Sequence, residues 1–117
     1  MTKVNQNFEC YEGNDVVLRV PITDRNTGEP KILTNATIVW KLSDSAKNSV
    51  VLSKSIGDGI SIVSINGTDD GLEITITAED TTSLLGTHYH ECAVTDVAGD
   101  THTVFLGSAT IKQAVAT

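Results

Sequence analysis

Side chains branched at Cβ dominate this chain: thirty-eight of its 117 positions are threonine, valine or isoleucine, recurring in alternating runs such as Val16-Val17-Leu18-Arg19-Val20-Pro21-Ile22 and Leu72-Glu73-Ile74-Thr75-Ile76. These residues are stiff in a helix and pack well on a pleated surface, so a chain built from them folds as strands. Eight runs stand out, at residues 4–11, 16–22, 36–42, 50–55, 60–65, 72–77, 87–96 and 101–111. Short strands at this spacing, each bounded by turn chemistry, predict an all-β sandwich of about seven or eight strands.

Alternation picks out the expected core: Val16, Leu18, Val20 and Ile22; Ile38, Trp40 and Leu42; Ile60 and Ile62; Leu72, Ile74 and Ile76; Cys92 and Val94; Val104 and Leu106, with Ala109 and Ile111. Their neighbours on the opposite faces are mostly polar, as in antiparallel sheets with one wet side. Phe105 is also expected inside. Turns are predicted at Asp24-Arg25-Asn26-Thr27-Gly28-Glu29-Pro30, at Asn66-Gly67-Thr68-Asp69-Asp70-Gly71 and at Val97-Ala98-Gly99-Asp100, where Asx residues and glycine supply the required backbone angles. Residues 79–85 break the alternation and begin with acidic side chains, which predicts one helical turn crossing between sheets.

A chain of this length makes one domain, residues 1–117, that needs neither metal nor disulfide simply to fold. Residues 1–7 and 112–117 are expected to be mobile arms. The start, Met1-Thr2-Lys3-Val4-Asn5-Gln6, lacks the charged and apolar regions of a signal peptide, and no apolar run is long enough for a membrane-spanning helix. The net charge of −7 is unevenly placed, with no lysine or arginine anywhere in residues 59–111. A nucleic-acid partner, which needs a cationic track along the phosphates, is therefore not expected. The acidic half instead favours solubility or a basic protein surface.

Candidate sites are few. His88 and His90 share a strand face at the spacing of two metal ligands. A hairpin turning at Ala98-Gly99 would pair His102 near Thr95, about five residues or roughly 17 Å from His90 and on the opposite face, so no third ligand is expected. The only cysteines, Cys10 and Cys92, read as buried thiols, with a disulfide left open if the first and seventh strands meet. His90 lies about 7 Å of strand from Cys92, too far to activate it. Residues 66–71 resemble the start of a calcium loop, but Thr77 stands where the bidentate glutamate belongs and strands flank the loop. Asn35-Ala36-Thr37 and Asn66-Gly67-Thr68 match the glycosylation sequon, which has no meaning without secretion. No catalytic, cofactor-binding or metal-binding residues are expected.

Trp40, Asp80, Tyr89 and Cys92 invite comparison with antibody domains, yet the spacing departs from them: His90 stands two before the cysteine, where the corner tyrosine belongs. The order of motifs is more similar to the immunoglobulin-like module of tailed-bacteriophage particles, known as the N-terminal domain of upper baseplate proteins and from short virion proteins. Its pattern resembles Gly13-Asn14-Asp15 opening a strand, the turn ending at Pro30, and Thr34-Asn35-Ala36-Thr37 leading into Ile38-Val39-Trp40-Lys41-Leu42. Lys54-Ser55-Ile56-Gly57-Asp58-Gly59-Ile60, Asp80-Thr81-Thr82, Gly86-Thr87-His88-Tyr89-His90-Glu91 and Val94-Thr95-Asp96 follow in the same order, so the likeness covers about residues 8–111.

That resemblance implies an immunoglobulin-like antiparallel sandwich and a non-enzymatic virion protein, made in the bacterial host's cytoplasm. It would dock on the major capsid protein as a decorating cement, or on tail or baseplate subunits, and homo-oligomers are compatible with it. No further receptor-binding segment follows the domain, which tilts the expectation toward decoration. The alternative is a carbohydrate- or receptor-binding module, for which five aromatics offer few stacking platforms.

Overall fold

The computed structural model describes residues 4–5, 7–22, 33, 35–44, 49–65, 70–82 and 84–113. They form nine strands and one helical turn: β1 (Val4–Asn5), β2 (Phe8–Tyr11), β3 (Val16–Pro21), β4 (Thr37–Ser43), β5 (Val50–Ile56), β6 (Gly59–Val63), β7 (Gly71–Ile76), α1 (Ala78–Thr81), β8 (Gly86–Thr95) and β9 (Thr101–Lys112). The all-β expectation holds. The helical turn lies at the start of the predicted segment, and β1 and β2 divide the first predicted run. The predicted turn at residues 24–30 lies outside the described residues, as do residues 1–3, 6 and 114–117 of the expected arms. Val4–Asn5 and Lys112, also assigned to those arms, belong to paired strands. No helix among the described residues is long and apolar enough to cross a membrane.

Hydrogen bonding links the strands in the order β1-β9-β8-β4-β5-β6-β7-β3, with β2 also on β9. The path folds over into two layers, β9-β8-β4-β5 and β6-β7-β3, of a nearly closed, barrel-like sandwich. It is not purely antiparallel. The N-terminal strands run parallel to β9, Val4 opposite Phe105 and Cys10 opposite Ile111, and β5 runs parallel to β6. The β5–β6 pairing joins the layers along one side; along the other, β2 and β3 face each other across a cleft.

The joined side depends on a glycine. Gly59 has φ +99°, and a Cβ there would meet Lys54 Cδ at 2.5 Å, so the lysine stem crosses where only glycine fits. The ammonium then reaches Asp80 Oδ2 on α1 at 2.7 Å, with both side chains mostly buried. Burial alone would raise the Asp80 pKa, but Lys54 and the Thr77 backbone and hydroxyl hydrogen bonds outweigh it and hold the carboxyl below its usual value. Asp80 also completes the N-terminal cap of α1: Thr77 N–H donates to Asp80 Oδ2 at 2.8 Å, and Asp80 N–H donates to Thr77 Oγ1 at 3.3 Å. The turn between β2 and β3 docks on the same helix. Gly13 N–H donates to Thr81 Oγ1 at 3.0 Å, and Ala78 N–H donates to Asp15 Oδ1 at 2.7 Å.

The core follows the alternation with three departures. Val16, Leu18 and Ile62 are only partly buried, whereas Cys10 and Leu33 are inside. Leu106 is not a core residue. The β8–β9 register jumps between Cys92 and Ala93, so that Cys92 faces Phe105 and Ala93 faces Thr103, leaving Val104 as an extra residue. This bulge turns Val104 and Phe105 inward together and puts Phe105, Gly107, Ala109 and Ile111 on the dry side.

Trp40 is fully buried, and its Nε1–H donates to His90 Nδ1 at 3.1 Å. Removing the indole leaves a cavity that the surrounding strands cannot fill. Trp40→Ala is expected to lose about 3–5 kcal/mol in urea unfolding, and Trp40→Phe about 1–3 kcal/mol, because the second keeps a ring but deprives a buried nitrogen of its donor.

Candidate functional site

His90 sits among aromatic rings contributed by three other strands. Phe8 of β2 meets its ring edge-on at 4.9 Å between centroids, Phe105 of β9 lies at 5.8 Å, and Trp40 of β4 at 6.0 Å. Because Nδ1 accepts the indole proton, that nitrogen carries none and the imidazole is in its neutral Nε2–H form. The ring lies at the inner wall of the β2–β3 cleft, a space of about 160 Å³ lined also by Asn7, Phe8, Phe105 and residues 17–20. Arg19 is the only charged side chain lining the cleft, and it pairs with Glu73 at 3.1 Å. Aromatic rings packed on three sides and a hydrogen bond from Trp40 make His90 a packing centre of the sandwich.

The other histidines stand apart from it. His88 lies on the same face of β8, but its ring nitrogens contact backbone carbonyls, Nε2 with Leu84 O at 2.7 Å and Nδ1 with Ser43 O at 3.3 Å. His102 pairs with Val94 rather than near Thr95. That slip of one residue puts His102 on the face of His90 and corrects the expected orientation, but four residues of strand, roughly 13 Å, still separate them. Among the described residues no group of three histidines, cysteines or carboxylates could hold a metal ion.

Cys10 and Cys92 are both free and buried. Cys10 faces Ile111 and Cys92 faces Phe105, six residues apart along β9, or roughly 20 Å. This closes the disulfide left open by the sequence, since bridged Cα atoms stand within about 7 Å. Burial raises the Cys10 pKa and pushes the Cys92 thiol up to about 12, the reverse of an activated nucleophile.

Asp70, expected within the turn at residues 66–71, is fully buried. Its Oδ1 accepts from Ile65 N–H at 3.0 Å and its carbonyl from Ile22 N–H at 2.8 Å, so it anchors the entry to β7. Residues 66–69 of the calcium-like loop lie outside the described residues. Asp96 is also occupied: Oδ1 accepts from Ala98 N–H and Asp100 N–H, both at 3.0 Å, to close the β8–β9 turn. Of the aromatics, Trp40 and Phe105 are buried and Phe8 is partly buried. Tyr11 and Tyr89 remain, roughly 16 Å apart by register, too far to form one sugar platform.

What the sequence could not assemble is the outer face of the β9-β8-β4-β5 layer. Register places Thr37, Val39, Lys41 and Ser43 of β4 beside Tyr89, Glu91, Ala93 and Thr95 of β8, with Thr101, Thr103, Leu106 and Ser108 of β9 on one flank and Ser53 and Ser55 of β5 on the other. The chain carries a net charge of −7, yet the middle of this face holds one cation and one anion, Lys41 and Glu91, and Lys112 at the end of β9 is paired with Glu9 of β2. Two shallow hollows mark it, of about 280 Å³ and 130 Å³, and Lys41 and Glu91 border both.

No protein-family model matches the chain, and no curated protein matches it.

Cys92 supplies a pH test. A thiol whose folded pKa lies above its unfolded value contributes stability that is complete below the unfolded value and is lost as pH rises toward the folded one. Stability in urea should therefore fall between pH 9 and about 12. Cys92→Ala should flatten that fall, and native Cys92 should resist alkylation at neutral pH until the chain unfolds.

Proposed function

We propose that this protein is a non-enzymatic structural module of a tailed-bacteriophage particle, docking as an accessory on an assembled capsid, tail or baseplate surface. The observation that carries this reading is the assignment of the reactive side chains to the scaffold. His90 and His88 are bonded within the sandwich, both thiols are buried with raised pKa values, and Asp70, Asp80 and Asp96 hold turns. What remains for function is surface. The motif order along residues 8–111 supplies the bacteriophage and immunoglobulin-like part of the proposal, and the all-β sandwich is compatible with it.

Attachment is expected to draw on the acidic ends of the sandwich. Glu79 of α1 is exposed at one end, and Asp100 in the β8–β9 turn is exposed at the other. These carboxylates suit a basic surface repeated across an assembly, where several weak contacts add through multivalency. Co-sedimentation with particles stripped of the protein tests this. Binding to intact particles should exceed binding to unassembled capsid or tail subunits and should weaken as salt rises. Equal binding to lone subunits would contradict assembly-dependent docking, and retention only on cell-surface glycans would favour a receptor-binding module instead.

A further inference from the structure

We infer that the outer face of the β9-β8-β4-β5 layer is a self-association surface, and that its occupant is a second copy of this chain related by a two-fold axis. Three observations lead there. Lys41 and Glu91 are exposed and directly opposite each other in the β4–β8 register, near the middle of the face. Neither belongs to any of the three ion pairs among the described residues, Arg19–Glu73, Lys54–Asp80 and Lys112–Glu9. Their charges cancel, so the whole net charge of −7 lies elsewhere on the molecule. Two copies repel each other through their other surfaces and can approach through this one.

Register also selects the axis. Lys41 and Glu91 lie at the same height on neighbouring strands, displaced only across the sheet. A two-fold axis parallel to the strands and passing between β4 and β8 therefore places each Lys41 over the other copy's Glu91, and each Glu91 over the other copy's Lys41. An axis perpendicular to the strands would set lysine against lysine. The face is thus self-complementary in one orientation, as an isologous dimer requires. The partly buried Val39, Tyr89, Ala93 and Leu106 supply the apolar part of the contact, and the serines and threonines around them add no charge beyond Lys41 and Glu91, which pair across the axis.

Size sets the expected strength. Four strands about 4.8 Å apart and about seven residues of rise give a footprint on the order of 450 Å². This is below the roughly 800 Å² per partner of a standard interface, so the dimer should be reversible and concentration-dependent. On a particle surface, where copies are held close together, the same contact would be occupied far more fully than in dilute solution.

Sedimentation over a range of about 10 μM to 1 mM reads the association directly. The wild-type weight-average mass should rise with concentration from 12.4 kDa toward twice that value. Lys41→Glu alone and Glu91→Lys alone should each stay monomeric while keeping wild-type circular dichroism, with melting lowered only slightly by the like charges then opposite each other on exposed positions. An equimolar mixture of the two variants should associate, since each then meets an oppositely charged copy, and the double exchange K41E/E91K should recover wild-type behaviour. A wild-type mass fixed at 12.4 kDa, self-association of the single variants equal to wild type, or a mixture that remains monomeric would each overturn the inference. None of these readouts uses a bacteriophage particle, so the outcome stands apart from the docking test.

Discussion

The hydrogen bond from Trp40 to His90 is the interaction on which the rest of the sandwich depends. A buried indole N–H and a buried imidazole each cost stability unless paired, and here each answers the other across β4 and β8 at 3.1 Å. Once the ring is fixed, its edges and faces become the seat for Phe8 and Phe105, which brings the N-terminal strand and β9 onto the same centre. The bulge in β9 belongs to this arrangement. If Val104 were paired in strict alternation rather than bulged, Phe105 would point to solvent and Leu106 would turn inward.

The opposite side of the molecule is held by different chemistry. Lys54 crosses over Gly59 to Asp80, tying the edge of one layer to the helical turn that leads out of the other. The layers are therefore joined at β5–β6 by a short parallel pairing and a mostly buried ion pair, and at β2–β3 by the packing around His90 and the turn that docks on α1. A side chain in such a network is committed by geometry. His90 cannot serve as a free base while Nδ1 accepts from Trp40, and Cys92 beneath the sheet is a protonated thiol at neutral pH. His90 and Cys92, which look available as residue types, are thus committed within the packing.

Much of this was legible in the sequence, and the exceptions share a cause. Strand positions, the buried tryptophan and the presence of a helical turn after β7 all follow from local pattern. The parallel neighbours of β9 and β6 do not, because pairing partners distant in sequence leave no local mark. The change of phase in β9 was partly visible, since Val104 and Ala109 cannot share one strict alternation, but nothing local fixed the extra residue at 104. One residue of register also decided the face of His102. Leu33, outside any alternating run, and Asp70, a turn type by composition, are buried for reasons that only the tertiary contacts reveal. The near-neutral outer face depends on those same pairings, which bring Lys41 and Glu91 together from positions fifty residues apart.

A scaffold whose reactive groups are internal suits a component that works by being held in place. Quantitative mass spectrometry of purified bacteriophage particles from a host carrying this gene tests that claim most directly. The protein should co-purify with the particle in a fixed ratio to a capsid, tail or baseplate subunit and stay with it through repeated washing at low salt. Its recovery only as free protein in the lysate, with none on washed particles, would contradict the account.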